Sequence, residues 1–265
     1  MQRLHVDKIE KQIENGCTEP FLAILNTGEE KIHAVIKTKD NIQGILTLIN
    51  ELVSYKLAKA VGILMPDSGA AIIDGQTLME EHMLTNDDFG SCFYSRYIER
   101  SSILNENIMD FISNKEAYEE IILFDHLTYN KDRNKGNLLI STGKGAKLLY
   151  AIDHTHVFKN ATIWDSICFK QGISNNDYLD VDILEANGYG MFFRSKTIDQ
   201  ESLLRIAEKF KQVITKPLLD DIINSIPNDW KISNNDLEAL KNYLLYRVEH
   251  INEMCEMIAN YKEWR

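Results

Sequence analysis

The sequence is poor in the residues that staple, break or loosen a fold. Four cysteines, four prolines and thirteen glycines are spread over 265 residues. Cys17, Cys92, Cys168 and Cys255 stand far apart with no CxxC pair, so neither a disulfide framework nor a cysteine metal site is predicted. So little Pro and Gly argues against a long disordered linker. The N-terminal stretch MQRLHVDKIEKQIENG lacks the apolar core of a secretory signal, and no apolar run approaches the roughly 18 residues of a membrane span. A soluble cytoplasmic protein with reduced thiols is expected, with no membrane partner. Positive charge is also short: 29 Lys and Arg face 40 Asp and Glu, a net charge of −11. Gripping a duplex usually takes a Lys/Arg-rich face. No such run is present, so direct nucleic-acid binding is not expected. A nucleotide site tolerates an acidic surface, because it needs only a few local cations and a metal.

What is there suffices for a full core, as one large domain or two lobes sharing a cleft. The first hundred residues read as strands around one helix. Phe21 to Leu25 and His33 to Lys37 flank the turn signal Asn26-Thr-Gly-Glu29 and predict a hairpin. Asp40 or Asn41 caps a predicted helix whose apolar positions Ile42, Ile45, Ile49, Leu52 and Val53 keep a three-four spacing. Gly62 ends it after Val61. Ala70 to Ile73 and Cys92 to Tyr94 suit strands, with a polar loop at Thr85 to Asp88 between them.

From Asn105 the pattern turns helical. Ile108, Phe111 and Ile112 mark a short helix, and Tyr118, Ile121, Ile122 and Leu127 a second. Asn137 to Ile140 and Lys147 to Ile152 flank Ser-Thr-Gly-Lys-Gly and predict a second hairpin. Helices follow at Ser202 to Val213, Pro217 to Ile223, and from Ser233 to about Tyr261 as one long helix. The expected class is α+β and bilobal. A small antiparallel β lobe with one helix (residues 1–100) precedes a mainly helical lobe (101–265) that contains a single hairpin.

The chemistry-bearing residues cluster around that hairpin. Phosphoryl transfer from ATP requires a carboxylate to orient the attacking hydroxyl, oxygen ligands for Mg²⁺, and a cation on the phosphate oxygens. In Asn130-Lys-Asp132-Arg-Asn-Lys-Gly-Asn137, Asp132 and Asn137 stand five apart, the spacing between base and metal-binding amide in the kinase catalytic loop. Asp153 closes the partner strand and brings a second carboxylate beside Asn137 across the hairpin. Lys37 ends the apolar strand Ala34-Val-Ile36, a place like the lysine of V-A-I-K strands, and Glu51 in the following helix offers a counter-charge. Asp and Asn are common turn formers, so it is the ordered combination that carries the reading.

FDHLTYNKDRNKGNLLI followed by LLYAID resembles the atypical HipA-like kinases, and also phosphoinositide kinases and their protein-kinase relatives, which use D-R-H-x-x-N-L, a hairpin and an I-D metal site. Asn50-Glu51-Leu-Val, Leu57-Ala58 and Pro66 are similar to their Lys-pairing helix, and Ile226-Pro-Asn-Asp-Trp230 with a long last helix is similar to the small HipA-like subgroup. The resemblance implies a protein-kinase-like fold and an ATP- and Mg²⁺-dependent phosphotransferase. It further implies Asp132 as catalytic base, Asn137 in the catalytic set, Asn137 and Asp153 as Mg²⁺ ligands, and Lys37, held by Glu51, on the phosphates. Asn134 departs from the family's His, and an amide cannot titrate. Gly16-Cys-Thr18-Glu-Pro20 is placed like the family's phosphate loop, with Gly16 and Thr18 as contacts; the turn at Thr27-Gly28 is its rival. Gly143-Lys-Gly145 lacks the Walker pattern.

Family precedent points to a Ser/Thr acceptor on a protein, autophosphorylation, and a toxin-like role held by an antitoxin-like partner. A small-molecule kinase and a non-catalytic nucleotide-binding scaffold are the alternatives, and transfer of AMP also stays open. The intact set of Lys37, Asp132, Asn137 and Asp153 speaks against the scaffold. The adenine-binding segment is expected near Glu99 or near Glu81. His154 and His156 could be metal ligands, but two His without a carboxylate at ligand spacing are read as structural, and Asp177 to Asp182 as a solvated acidic loop. Trp164, Trp230 and Trp264 are expected to pack at helix and lobe edges.

Overall fold

The computed structural model describes residues 4–14, 17–186, 189–195 and 198–261. Strands β1 (Leu4–Gln12), β2 (Phe21–Asn26), β3 (Lys31–Lys37), β4 (Ser68–Ile73) and β5 (Gly90–Arg96) close a barrel in the order β1-β2-β3-β5-β4. The predicted hairpin is β2–β3, paired from Phe21↔Ile36 to Asn26↔Lys31, and Gly28 at φ +87° supplies the left-handed turn residue. Alternation sorts the faces of each strand. In β5, Cys92 and Tyr94 join Val6, Ala23, Leu25, Ala34 and Ile36 inside the barrel, while Phe93 faces the larger core.

Two features differ from the expected antiparallel sheet. β1 was not read as a strand, because register shifts at Val6/Lys8 and Ile9/Lys11 bring Val6 and Ile9, three apart, into one core and erase the period of two. The barrel also closes through a parallel pairing of β1 with β4, Leu4↔Ala71 and His5↔Ile72. Closure leaves neither strand as an open edge.

Helix α1 (Leu46–Val61) lies between β3 and β4. It begins later than predicted. Asn41 accepts from the Gln43 N–H and Gly44 sits at φ +81°, so residues 41–44 form a turn, and Ile42 is exposed. The end is as predicted: Gly62 at φ +83° donates to the Ala58 and Lys59 carbonyls. Thr47 through Tyr55 are all buried, as expected of a helix enclosed on every side.

The carboxy-terminal part is mainly helical. After α2 (Ala117–Leu127) comes the predicted hairpin, β7 (Leu138–Ser141) with β8 (Leu149–Ala151); a short strand β6 (Ser101–Ile103) pairs with β7 to make three strands. Then follow α3 (Ser166–Ser174), α4 (Asp182–Ala186), α5 (Gly190–Ser195), α6 (Gln200–Val213), α7 (Lys216–Asn224), α8 (Asn234–Glu249) and α9 (Ile251–Asn260). A single apolar core runs from α1 through α9. No helix among the described residues is long and apolar enough to cross a membrane.

Several expectations are corrected here. The expected short helix is present as a 3-10 helix over residues 106–111, but Phe111, expected on its apolar face, is exposed. The long last helix is broken at His250, which stacks on Tyr178 with ring centroids 4.2 Å apart. The stripe Leu244, Val248, Ile251, Met254 stays buried across the break, which is why spacing alone did not show it. Trp164 and Trp230 lie in the core, not at its edges. Their indole N–H groups donate to Asn50 Oδ1 and the Ser91 carbonyl, each at 2.8 Å, which makes burial of the polar atom tolerable. Trp264 falls outside the described residues. Asp177 is not solvated: it is buried against the fully buried Arg247 guanidinium and accepts from Tyr243 Oη at 2.7 Å.

Candidate active site

The loop between α2 and β7 is held by one buried side chain. Arg133 donates from Nε to Asp125 Oδ2 (2.8 Å) and from Nη2 to Asp125 Oδ1 (2.9 Å). Its Nη1 reaches the carbonyls of Asn137 and Ile152, both at 2.8 Å, and Nη2 also donates to His154 Nε2 at 2.8 Å. One guanidinium therefore ties α2, the loop, and the end of β8 together. Asp125 also accepts from Tyr189 Oη at 2.6 Å and Asn130 Nδ2 at 2.8 Å. Burial raises the pKa of its carboxyl, but the Arg133 charge outweighs that and holds it below the usual value. Burial, then the Arg133 charge, push His154 down to about 3, so it stays a neutral acceptor.

On this frame sit the predicted residues. The Asp132 backbone is fixed at both ends: its N–H donates to Asn130 Oδ1 (2.9 Å) and its carbonyl accepts from Asn137 Nδ2 (2.9 Å) and Asn134 Nδ2 (3.0 Å). Asn134 caps the turn by accepting from the Gly136 N–H at 2.8 Å, and its side chain is exposed. Asn137 spends its Nδ2 on Asp132, which turns its Oδ1 away from that bond. Asp153 follows β8 in a left-handed conformation, φ +55°, which short polar Asp tolerates better than most residues.

Across the cavity, Lys37 at the end of β3 meets Asp153. Nζ lies 2.5 Å from Glu51 Oε1, 3.0 Å from Asp153 Oδ1 and 2.7 Å from Thr155 Oγ1. Burial alone would discharge the ammonium; Asp153 and Glu51 reverse that and raise its pKa. Burial likewise works against the Asp153 carboxylate, but Lys37 and the Thr155 hydroxyl hold its pKa well below normal. Glu51 is fastened further by the His154 N–H, donating to Oε2 at 3.0 Å.

Lys37, Glu51 and Asp153 line a cavity of about 260 Å³ whose walls include Val35, Met65, Phe93, Leu139 and Ile152. Thr18 and Pro20 stand in its wall and Gly28 does not; Gly16 falls outside the described residues. Tyr97 and Ile98 also line it, whereas no residue around Glu81 does, so of the two expected adenine-binding segments the one near Glu99 borders the cavity. Among the described residues no three His, Cys, Asp or Glu side chains cluster as a metal site.

Residues 6–265 match the family described as HipA-like kinase. The chain belongs to the HipA-like kinase family. It is thus a kinase, and use of a nucleotide and a metal goes with that family. Among solved structures, this HipA-like kinase is similar to the Helicobacter pylori proinflammatory kinase CtkA, at 12% identity and TM-score 0.57, covering 94% of this chain and 95% of that one. That likeness shows a shared α+β fold with a β-rich amino-terminal and a helical carboxy-terminal part. HipA from Shewanella oneidensis MR-1, solved with HipB and operator DNA, matches at 10% identity and TM-score 0.48, over 96% of this chain and 68% of that one. No curated protein matches.

Asp125, Arg133, Tyr189 and His156 were not anticipated at this HipA-like kinase site. Asp125 and Arg133 left a signal, since a carboxylate inside the apolar run IILFDHL needs a buried cation, and Arg133 is near at hand. Tyr189 left none, because its contact is set by tertiary packing. His156, read as structural, hydrogen-bonds Asp132 Oδ2 at 3.1 Å.

Proposed function

We propose that this kinase uses ATP and Mg²⁺ to phosphorylate a Ser or Thr hydroxyl of a protein, its own chain included. The observation that carries the reading is the Lys37–Glu51–Asp153 cluster, assembled from β3, α1 and the segment after β8 in the wall of one cavity. Asp132 accepts the proton of the attacking hydroxyl, and Lys37 neutralises phosphate oxygens. The apolar walls suit an adenine ring, with Tyr97 and Ile98 at its edge, and Thr18 reaches the phosphates. Residues 1–100 serve as the nucleotide lobe and 101–265 as the catalytic lobe.

The donor set fits Mg²⁺. Asn137 Oδ1 and the Asp153 carboxylate are hard oxygen ligands, and two protein ligands plus phosphate oxygens and water are typical for this ion. When bound, Mg²⁺ neutralises charge on the β- and γ-phosphates. Family resemblance supports a protein acceptor and an antitoxin-like partner.

Mass spectrometry after incubation with ATP and Mg²⁺ tests the reaction: the chain or an acceptor protein gains a phosphoryl group on Ser or Thr. A gain of AMP, or no gain by any protein, overturns it. Asp132→Ala and Asp153→Ala abolish transfer while the circular-dichroism spectrum stays unchanged. Normal activity in either variant would show the site assignment to be wrong.

A further inference from the structure

Asp132 is fixed through its backbone, but its carboxylate is half exposed and has two torsions to settle. Among the described residues, one side chain hydrogen-bonds that carboxylate: His156, with Nδ1 3.1 Å from Oδ2. An ionised carboxylate only accepts, so the proton of this bond resides on Nδ1. That fixes the imidazole tautomer and leaves Oδ1 for another partner.

His156 is itself held in place from both sides. The carbonyl before it, of Thr155, accepts from Asn50 Nδ2 at 2.7 Å, and the Thr155 hydroxyl joins Lys37 and Asp153. After it, Val157 is fully buried and the Phe158 N–H donates to the Thr128 carbonyl at 2.7 Å. A backbone clamped at these points fixes where the His156 side chain starts, and the bond to Asp132 settles the remaining torsions of both side chains together. Both side chains line a second cavity, of about 310 Å³, with Tyr129, Lys131, Phe158 and Lys159. Its position beside Asp132 suits an acceptor hydroxyl. Asn134, the neighbour of Asp132 in the loop, is spent on the Asp132 carbonyl and the Gly136 N–H and does not reach the carboxylate.

We propose that His156 is a positioning residue for phosphoryl transfer, holding Oδ2 of Asp132 through Nδ1–H so that Oδ1 faces the acceptor hydroxyl. This role presupposes that Asp132 is the base. It explains how an exposed Asp side chain keeps one rotamer before the acceptor arrives, when small misplacement of a reacting group is enough to slow transfer. Donating to the Asp132 carboxylate also raises the His156 pKa against the pull of burial, as a contact with a carboxylate should.

Steady-state turnover of ATP with Mg²⁺, water or the chain itself being the acceptor, tests the proposal through three substitutions. Asn carries its Nδ2 at the place of the imidazole Nδ1, Gln carries its amide nitrogen one bond further out, and Leu carries no donor. His156→Leu and His156→Gln lower kcat roughly tenfold or more with the KM for ATP within about twofold, and His156→Asn recovers most of the loss. Equal activity of the Leu variant and wild type, or equal loss in all three, overturns the proposal. Asp132→Ala, measured alongside, separates the two levels: if it keeps activity, the base assignment fails. If it loses activity while His156→Leu does not, the positioning role alone fails. A readout independent of turnover is the histidine side-chain ¹H–¹⁵N spectrum. At a pH above the raised His156 pKa, where the ring is neutral, His156 shows the Nδ1–H tautomer in the wild type and reverts toward Nε2–H in Asp132→Ala; an unchanged tautomer refutes the contact.

Discussion

Arg133 and Asp125 meet through two parallel hydrogen bonds, Nε to Oδ2 at 2.8 Å and Nη2 to Oδ1 at 2.9 Å, with both side chains buried. The remaining guanidinium protons go to the Asn137 and Ile152 carbonyls and to His154, so this pair sets where the loop and Asp153 lie. Lysine has one point charge and no planar fork, and cannot make these contacts together. Arg133→Lys is therefore expected to destabilise the fold, and Asp125→Ala, which leaves a buried cation unpaired, to cost about 3–5 kcal/mol. Urea denaturation followed by circular dichroism measures both. A loss within 0.5 kcal/mol, on the order of an ordinary surface change, would show the pair to be dispensable.

The same pair gives a pH dependence of known sign. The folded-state pKa of Asp125 is lowered from 3.8: burial opposes ionisation, but the Arg133 charge prevails. A depressed carboxyl contributes stability that is fully present above the unfolded value and is lost as pH falls through the folded one. Stability should thus hold near neutrality and fall as the pH drops below 3.8. In Asp125→Asn the slope of unfolding free energy against pH over that acid range should be shallower than in the wild type. Identical slopes would remove Asp125 from the acid response.

Local rules made the β2–β3 hairpin, the end of α1 at Gly62 and the β7–β8 hairpin legible, because each depends on a turn residue or an alternation within a few positions. The meeting of Lys37 with Glu51 and Asp153 was legible because a lysine ending an apolar strand needs a counter-charge, and the next helix and the end of the hairpin each offer a carboxylate. What stayed hidden depends on contacts between distant segments. β1 was masked by its two register shifts, and the break at His250 by an apolar stripe that continues across it. Asp177 looked solvated because its partner Arg247 is 70 residues away. Even the nearer pairing of His156 with Asp132 is closed only by the fold.

Lys37 invites a comparison with its own partner. In Lys37→Met, Glu51 and Asp153 lose the ammonium that both approach, and under the proposed function the phosphates lose a preorganised charge. Removing a group that stabilises developing charge typically costs about 10²–10³-fold in rate, and ATP turnover in Lys37→Met should fall by that order. Glu51→Gln keeps an oxygen near Nζ and leaves Asp153 as the counter-charge, so its loss should be smaller. Turnover of both variants under the same Mg²⁺ and ATP settles the order, and a larger defect in Glu51→Gln would contradict the assigned roles.

One position before Glu51 on α1, Asn50 fastens the segment that carries Thr155 and His156. Its Nδ2 donates to the carbonyls of Thr155 (2.7 Å) and Ala161 (2.9 Å), and its Oδ1 accepts from Trp164 Nε1 at 2.8 Å. Adjacent residues of one helix thus hold Lys37 and the loop facing it. Asn50→Leu preserves the volume but leaves an indole N–H and two carbonyls unpaired in the core, each costing roughly 1–3 kcal/mol. The expected result is lower stability in urea and faster amide hydrogen exchange over residues 155–161, with helices α6 and α9 exchanging as in the wild type. If exchange in 155–161 does not change, this segment is fixed by something other than Asn50, and α1 does not link the lysine pair to the loop.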